Sequence, residues 1–174
     1  MSRFRSILLV SAALFTTAAQ AADPPRVEVT FGDLSKFTDF RVSTMSNQKE
    51  REGLAHELRR HLEREVPDRI PEGTRLQLSI TDIDLAGDYR LGGVGPNEVR
   101  VVRDMYPPRI SLDFKLLRAD GGIEKEGHRE LRDSSFMWGS SPSSTESLRF
   151  EKNLLDSWLQ KEFAPPKRSA NANR

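Results

Sequence analysis

Apolar side chains recur along this chain in two rhythms, one of period two and one close to four. "RVEVTF" sets Val27, Val29 and Phe31 on one side and Glu28 and Thr30 on the other, which predicts a half-buried strand over 26–31. "GDLSKFTDFRVSTMS" reads as a loop that tucks Phe37 and Phe40 into the core edge. Leu54, Leu58, Leu62 and Val66 then repeat every four residues beside Ala55, the apolar stripe of a helix over about 47–66. Asn47 followed by Glu50 predicts a capping box at its start, and Pro67 its end.

"TRLQLSITDIDLA" is a second strand with a change of phase. Leu76, Leu78 and Ile80 are even-numbered, whereas Ile83 and Leu85 are odd and Asp82 and Asp84 take the even places. A β-bulge near Thr81 or Asp82 would return Ile83 and Leu85 to the core and leave both carboxylates on the open face. Alternatively the strand runs unbulged past the helical layer, and the two aspartates line a rim under the glycine-rich "GDYRLGGVGPN" loop. "EVRVVRDM" and "RISLDFKLLRA" are expected as strands three and four, separated by Tyr106, Pro107 and Pro108. The turn signal "DGG" then predicts an antiparallel return through "IEKEGHREL", whose charges suit a sheet edge. After a loop carrying Phe136 and Trp138, a last helix is expected from about Thr145 to Phe163, with Leu154, Leu155, Trp158 and Leu159 on its apolar side.

The order β-α-β-β-β-β-α defines an α+β class: a two-layer sandwich of a five-stranded mixed sheet with two helices on one face. Its other face stays polar and wet.

The first 21 residues change where this domain is expected to work. Arg3 and Arg5 precede an apolar stretch from Ile7 to Ala18, and Ala19-Gln20-Ala21 is an A-x-A site, so cleavage between Ala21 and Ala22 is expected. The apolar stretch is short for a membrane span and is broken by Ser11, Thr16 and Thr17. The expectation is therefore a periplasmic or secreted protein with no membrane anchor after cleavage. Residues 22–25 form a short extended lead-in, 26–163 a single domain, and 164–174 a disordered tail rich in proline and small polar residues. Without cysteine there is neither a disulfide nor a lipid-bearing residue at the cleavage site. Loss of Arg3 and Arg5 leaves 25 basic and 26 acidic residues, a balance that offers nothing to nucleic acid.

Candidate chemistry is sparse. "DIDLAGD" begins like a calcium loop but has Ala86 at the fifth position and Gly93 at the twelfth, where a bidentate glutamate belongs. His56 and His61 are five apart on a helix, about 140° around it, so they cannot grip one ion and read as helix-surface residues. "GGVGPN" lacks a Gly-Lys-Ser/Thr, no Gly-x-Ser-x-Gly occurs, and no metal or cofactor is implied. Arg90, Arg100, Arg103 and Arg109 lie on or beside strands near Asp84, Asp88 and Asp104. They form either a solvated ladder of ion pairs or, less economically, a patch for an anionic ligand or partner strand. Glu151 falls inside the apolar arc of the last helix, where it and Trp158 are expected to serve the architecture.

The blocks "VEVTFGDLSKFTD", "REGLAHELRRHL", "TDIDLAGDYR", "VRVVRDMYPPRISLDFKLL" and "LRFEKNLLDSWLQKEF" together resemble domain of unknown function 3016, a family of exported bacterial proteins. The resemblance runs from about Val27 to Phe163. "YPPRI" departs from it, since a tryptophan and a single proline are expected before "RI". It implies a periplasmic location and carries no activity, cofactor or catalytic residue.

Two classes of function follow. One is a non-catalytic accessory or binding module of the envelope, using its open sheet face and the loops at 87–97 and 133–145 to meet an envelope protein or anionic ligand, with Asp84, Arg90, Arg103, Asp104, Tyr106, Arg109 and Trp138 as candidate contacts. The other is a small periplasmic hydrolase, which needs two of Asp82, Asp84 and Asp104 to converge in a deep cleft.

Overall fold

Alternating strands with one apolar face need cover on that face alone, and a computed structural model of the chain shows how it is supplied. Residues 24–43, 45–89, 100–138 and 147–164 are described. The expected signal peptide and most of the expected tail lie outside them. The elements are β1 (Val27–Phe31), α1 (Gln48–Glu65), β2 (Arg75–Asp84), β3 (Arg109–Leu117), β4 (Ile123–Arg132) and α2 (Arg149–Glu162). The sheet runs β1-β2-β3-β4, with β1 parallel to β2 and the remaining pairs antiparallel. Both helices pack on one face. Their leucines share a single core with the inward residues of β1, β2 and β3, where Leu58, Leu62, Ile80, Ile83, Leu112, Leu155 and Leu159 are fully buried. The class is the α+β sandwich expected from the pattern.

Among the described residues the sheet has four strands rather than five. Of the stretch expected as a third strand, Glu98 and Val99 lie outside the described residues, and Val101 makes an isolated bridge to Asp88. The chain then turns, with Tyr106 N–H donating to the Arg103 carbonyl at 3.0 Å. Alternation alone cannot supply a ladder. Pro107 and Pro108 have no N–H to offer one, and Gly87 supplies the close approach instead. At Gly87 φ is +89°, and a Cβ there would meet the Val101 carbonyl oxygen at 2.7 Å.

Helix α1 starts as expected: Asn47 accepts from Glu50 N–H at 3.0 Å, and Glu50 accepts from Asn47 N–H at 3.2 Å. One reading of it is corrected. His61 is not a helix-surface residue but is buried between the helices. Arg64 donates to its Nδ1 at 3.1 Å, so the ring hydrogen sits on Nε2 and is donated to Asp156 of α2 at 2.9 Å. The expected start of α2 at Thr145 lies outside the described residues. Its first described turn begins at Arg149, because Leu148 has φ +55°, a left-handed backbone that cannot belong to the helix.

The far end of α2 is fastened to the edge strand. Arg129 of β4 grips both Glu162 oxygens at 2.8 Å, Lys125 reaches Glu162 at 2.6 Å, and Trp158 Nε1–H donates to it at 3.2 Å. Phe114, Trp158 and Phe163 pack edge to face beneath, with centroids 5.7–5.8 Å apart. The Arg129 guanidinium holds the Glu162 carboxyl down to about 2, helped by Lys125. In the unfolded chain it titrates near 4.5. A depressed carboxyl contributes stability above its unfolded pKa and loses it as the pH falls toward the folded one. Denaturant unfolding of Glu162→Gln is therefore expected to show a deficit on the order of 1 kcal/mol at pH 7, after solvent screening, that vanishes near pH 2. A deficit unchanged between those pH values would contradict the clamp.

Candidate functional site

The opposite face of the sheet is exposed and polar, and its candidate chemistry gathers at one end. Three connections emerge there, since β1 leads into α1, β2 into β3, and β4 into α2: residues 32–47, 85–108 and 133–148. Both helix N-termini lie at this end as well.

The phase change in β2 is a bulge. The pairing with β3 shifts between Ile80 and Asp82, so Thr81 is extra, Ile83 and Leu85 return to the core, and both aspartates turn away from it. Asp82 uses both oxygens on Thr38, accepting from its N–H and its hydroxyl at 2.7 Å each. That grip lays 38–40 beside the end of β2. Asp39 N–H donates to the Ile83 carbonyl at 3.1 Å, and Leu85 N–H donates to the Asp39 carbonyl at 3.0 Å.

Arg100 locks the same region. Its guanidinium donates to the carbonyls of Leu85, Ala86, Gly87 and Arg41 and to the Asp39 carboxylate at 2.9 Å. It also stacks on the Tyr89 ring, 4.5 Å from the centroid. Tyr89 is buried and its hydroxyl donates to the Val42 carbonyl. Arg100 is thus no rung of a solvated ladder, because its side chain keeps only 16% of its exposure. Its sequence neighbours gave no hint of this, since the carbonyls it gathers come from the start of its own connection, 13 to 15 residues back, and from the β1–α1 connection.

Two clefts result. The first, about 370 Å³, is lined by Arg41, Val42, Tyr89, Val102, Arg149 and Phe150 among others, with Glu151 at its floor. The second, about 230 Å³, is polar and is lined by Asp39, Arg41, Asp84, Asp88, Tyr106 and Arg109 among others. The structure therefore brings three of the sequence-derived candidates together: Asp84, Tyr106 and Arg109. Arg103 and Asp104 are exposed on the turn leading to Tyr106, outside that lining. Trp138 stands exposed on the β4–α2 connection, and Arg90 lies outside the described residues. Asp39, Arg41 and Thr38 carry the arrangement without having stood out as candidates, since nothing local distinguishes them from other loop polar residues.

Asp84 pairs across the sheet end with Arg109 on one side and Asp39 on the other. Its carboxylate accepts no hydrogen bond among the described residues. Burial raises its carboxyl pKa, Asp39 and Asp82 add to the rise, and Arg109 and Arg100 oppose it. The carboxylates named for hydrolysis do not converge: Asp82 is committed to Thr38 and Asp104 is outside the cleft. Asp39, beside Asp84, is tied to Arg41 and Arg100. On the open face His128 sits between Asp113 and Glu130 at 2.8 and 2.7 Å, and these bonds raise its pKa. No group of three or more metal-ligating His, Cys, Asp or Glu side chains occurs among the described residues. None of their helices is long and apolar enough to cross a membrane.

Fold and site together define a two-layer α+β domain with one wet sheet face and a loop end built around a half-buried arginine. The chain belongs to the family described as protein of unknown function (DUF3016), whose model matches residues 25–161. No curated protein and no solved structure matches it.

Glu151 is buried at the third position of α2, where its carboxylate accepts from Ala86 N–H at 2.8 Å. Burial raises its pKa, against the pull of that N–H, its own backbone N–H, Arg100 and Lys152. A raised carboxyl favours folding below its unfolded pKa, and that advantage is lost as the pH rises through the folded one. Glu151→Gln keeps an acceptor for Ala86 and is expected to match or exceed the wild type in stability at pH 7, the difference closing toward pH 4. Glu151→Ala orphans the buried N–H and should cost about 1–3 kcal/mol. Urea denaturation at both pH values measures each, and equal losses in the two variants would refute a role for the acceptor.

Proposed function

We propose that the protein is a non-catalytic accessory module of the bacterial envelope, exported to the periplasm by residues 1–21, that docks a partner through its loop end. The observation carrying this reading is where apolar side chains are left uncovered. Among the described residues the exposed large hydrophobics are Val42, Met45, Met105, Ile123, Met137 and Trp138. All but Ile123 stand on the three connections at the loop end. Exposed apolar side chains concentrated in one region are a mark of contact surfaces, and an aromatic anchor rimmed by arginines fits such a contact. Arg41, Arg109 and Arg149 line the two clefts at this end, Arg103 stands exposed on the turn leading to Tyr106, and the connections ride on a rigid core that keeps their spacing.

The alternative, a hydrolase, draws on the raised pKa of Asp84 in a polar cleft. It is disfavoured because the two carboxylates that act on Asp84, Asp82 and Asp39, are committed to Thr38 and to Arg41 and Arg100.

Photo-crosslinking of the exported, tagged protein with probes at positions 105 and 138 is expected to give discrete adducts. Arg103→Glu with Arg109→Glu should reduce them several-fold. Adducts that are equally strong from probes on the open sheet face, at Gln77 or Lys115, would overturn the assignment of this end.

A further inference from the structure

Methionine is ordinarily a core residue, valued for filling irregular gaps. Here none of those among the described residues is in the core. After Met1 the chain has three, Met45, Met105 and Met137. They remain 89%, 64% and 45% exposed. Each stands on a different one of the three loop-end connections, so the whole complement shares one end of the sheet. No cysteine competes with them for oxidant.

We propose that these three methionines are oxidation sites that switch the loop end from an apolar to a polar surface, with peroxides as the co-reactant. In each step the thioether sulfur donates an electron pair to one peroxide oxygen. A sulfur–oxygen bond forms as the oxygen–oxygen bond breaks, the sulfur is oxidised to sulfoxide, and the second peroxide oxygen departs as water with the proton of the transferred hydroxyl. The product is a polar, hydrogen-bond-accepting group where a flexible apolar one stood. Packing sets the selectivity. The core is built from Leu, Ile, Val, Phe and Trp, so oxidation reaches the contact surface without opening a cavity inside the fold. Trp138, 90% exposed on the same connection as Met137, gives the surface an apolar group that peroxide attacks far less readily. The consequence for docking rests on the function proposed above, whereas the chemistry at the methionines does not.

The test treats the protein lacking residues 1–21 with hydrogen peroxide and follows each methionine by peptide mass spectrometry. All three should oxidise at rates within about threefold of N-acetylmethionine amide, with far-UV circular dichroism unchanged. Retention on a hydrophobic-interaction column should fall and return on treatment with methionine sulfoxide reductases. A Met45→Leu, Met105→Leu, Met137→Leu variant should keep its retention under peroxide, and the corresponding triple Met→Gln variant should start at the oxidised value. Protection of any of the three by more than about tenfold, or retention unchanged after full oxidation, would overturn the proposal. If both expectations hold but the loop-end crosslinks do not appear, the docking reading falls and the oxidation sites stand.

Discussion

At Thr81 the β2 backbone carries one residue more than β3 opposes, and the alternation of side chains restarts in the opposite phase. The constraint behind it is the cost of burying an unpaired carboxylate, which far exceeds that of interrupting a ladder by one residue. Because Asp82 then points away from the core, it can capture Thr38. That capture places Asp39 beside Asp84, and Asp39 in turn receives Arg100. The loop end is built outward from that one extra residue.

Arg100 shows how such an end stays ordered without a strand to carry it. Four carbonyls and a carboxylate from the β1–α1 and β2–β3 connections meet on one planar guanidinium, in a region with few ladder bonds. A lysine there could not fan out to as many acceptors. Glu151 adds a third attachment by holding Ala86 from the first turn of α2. Polar groups thus do for the connections what leucine packing does for the sandwich, and the rim is left with arginines and exposed methionines.

Much of this architecture was legible in the residues. The stripe Leu54, Leu58, Leu62 and Val66, the Asn47–Glu50 box and the alternation of Ile110, Leu112, Phe114 and Leu116 each report a local period that one buried face imposes. The bulge was one of two readings of Asp82 and Asp84, and the burial of Ile83 decides for it. "EVRVVRDM" misled because alternation marks a backbone able to be a strand, while a strand exists only where another offers free N–H and C=O groups. His61 misled because a helix stripe reports the sheet-facing side, whereas its partner Asp156 lies on a second helix.

The sequence by itself determined the class of fold, the apolar faces of β1, β3 and the two helices, and the kinship of the chain. Those follow from periodicity and residue order, which are local. Tertiary structure alone decided that Asp84, Tyr106 and Arg109 share a cleft while Arg103 and Asp104 stand outside it. It alone decided that Arg100 is an anchor, and that Met45, Met105 and Met137 share one end of the sheet. These are matters of distance between remote segments, and they are fixed only when the connections close over the core.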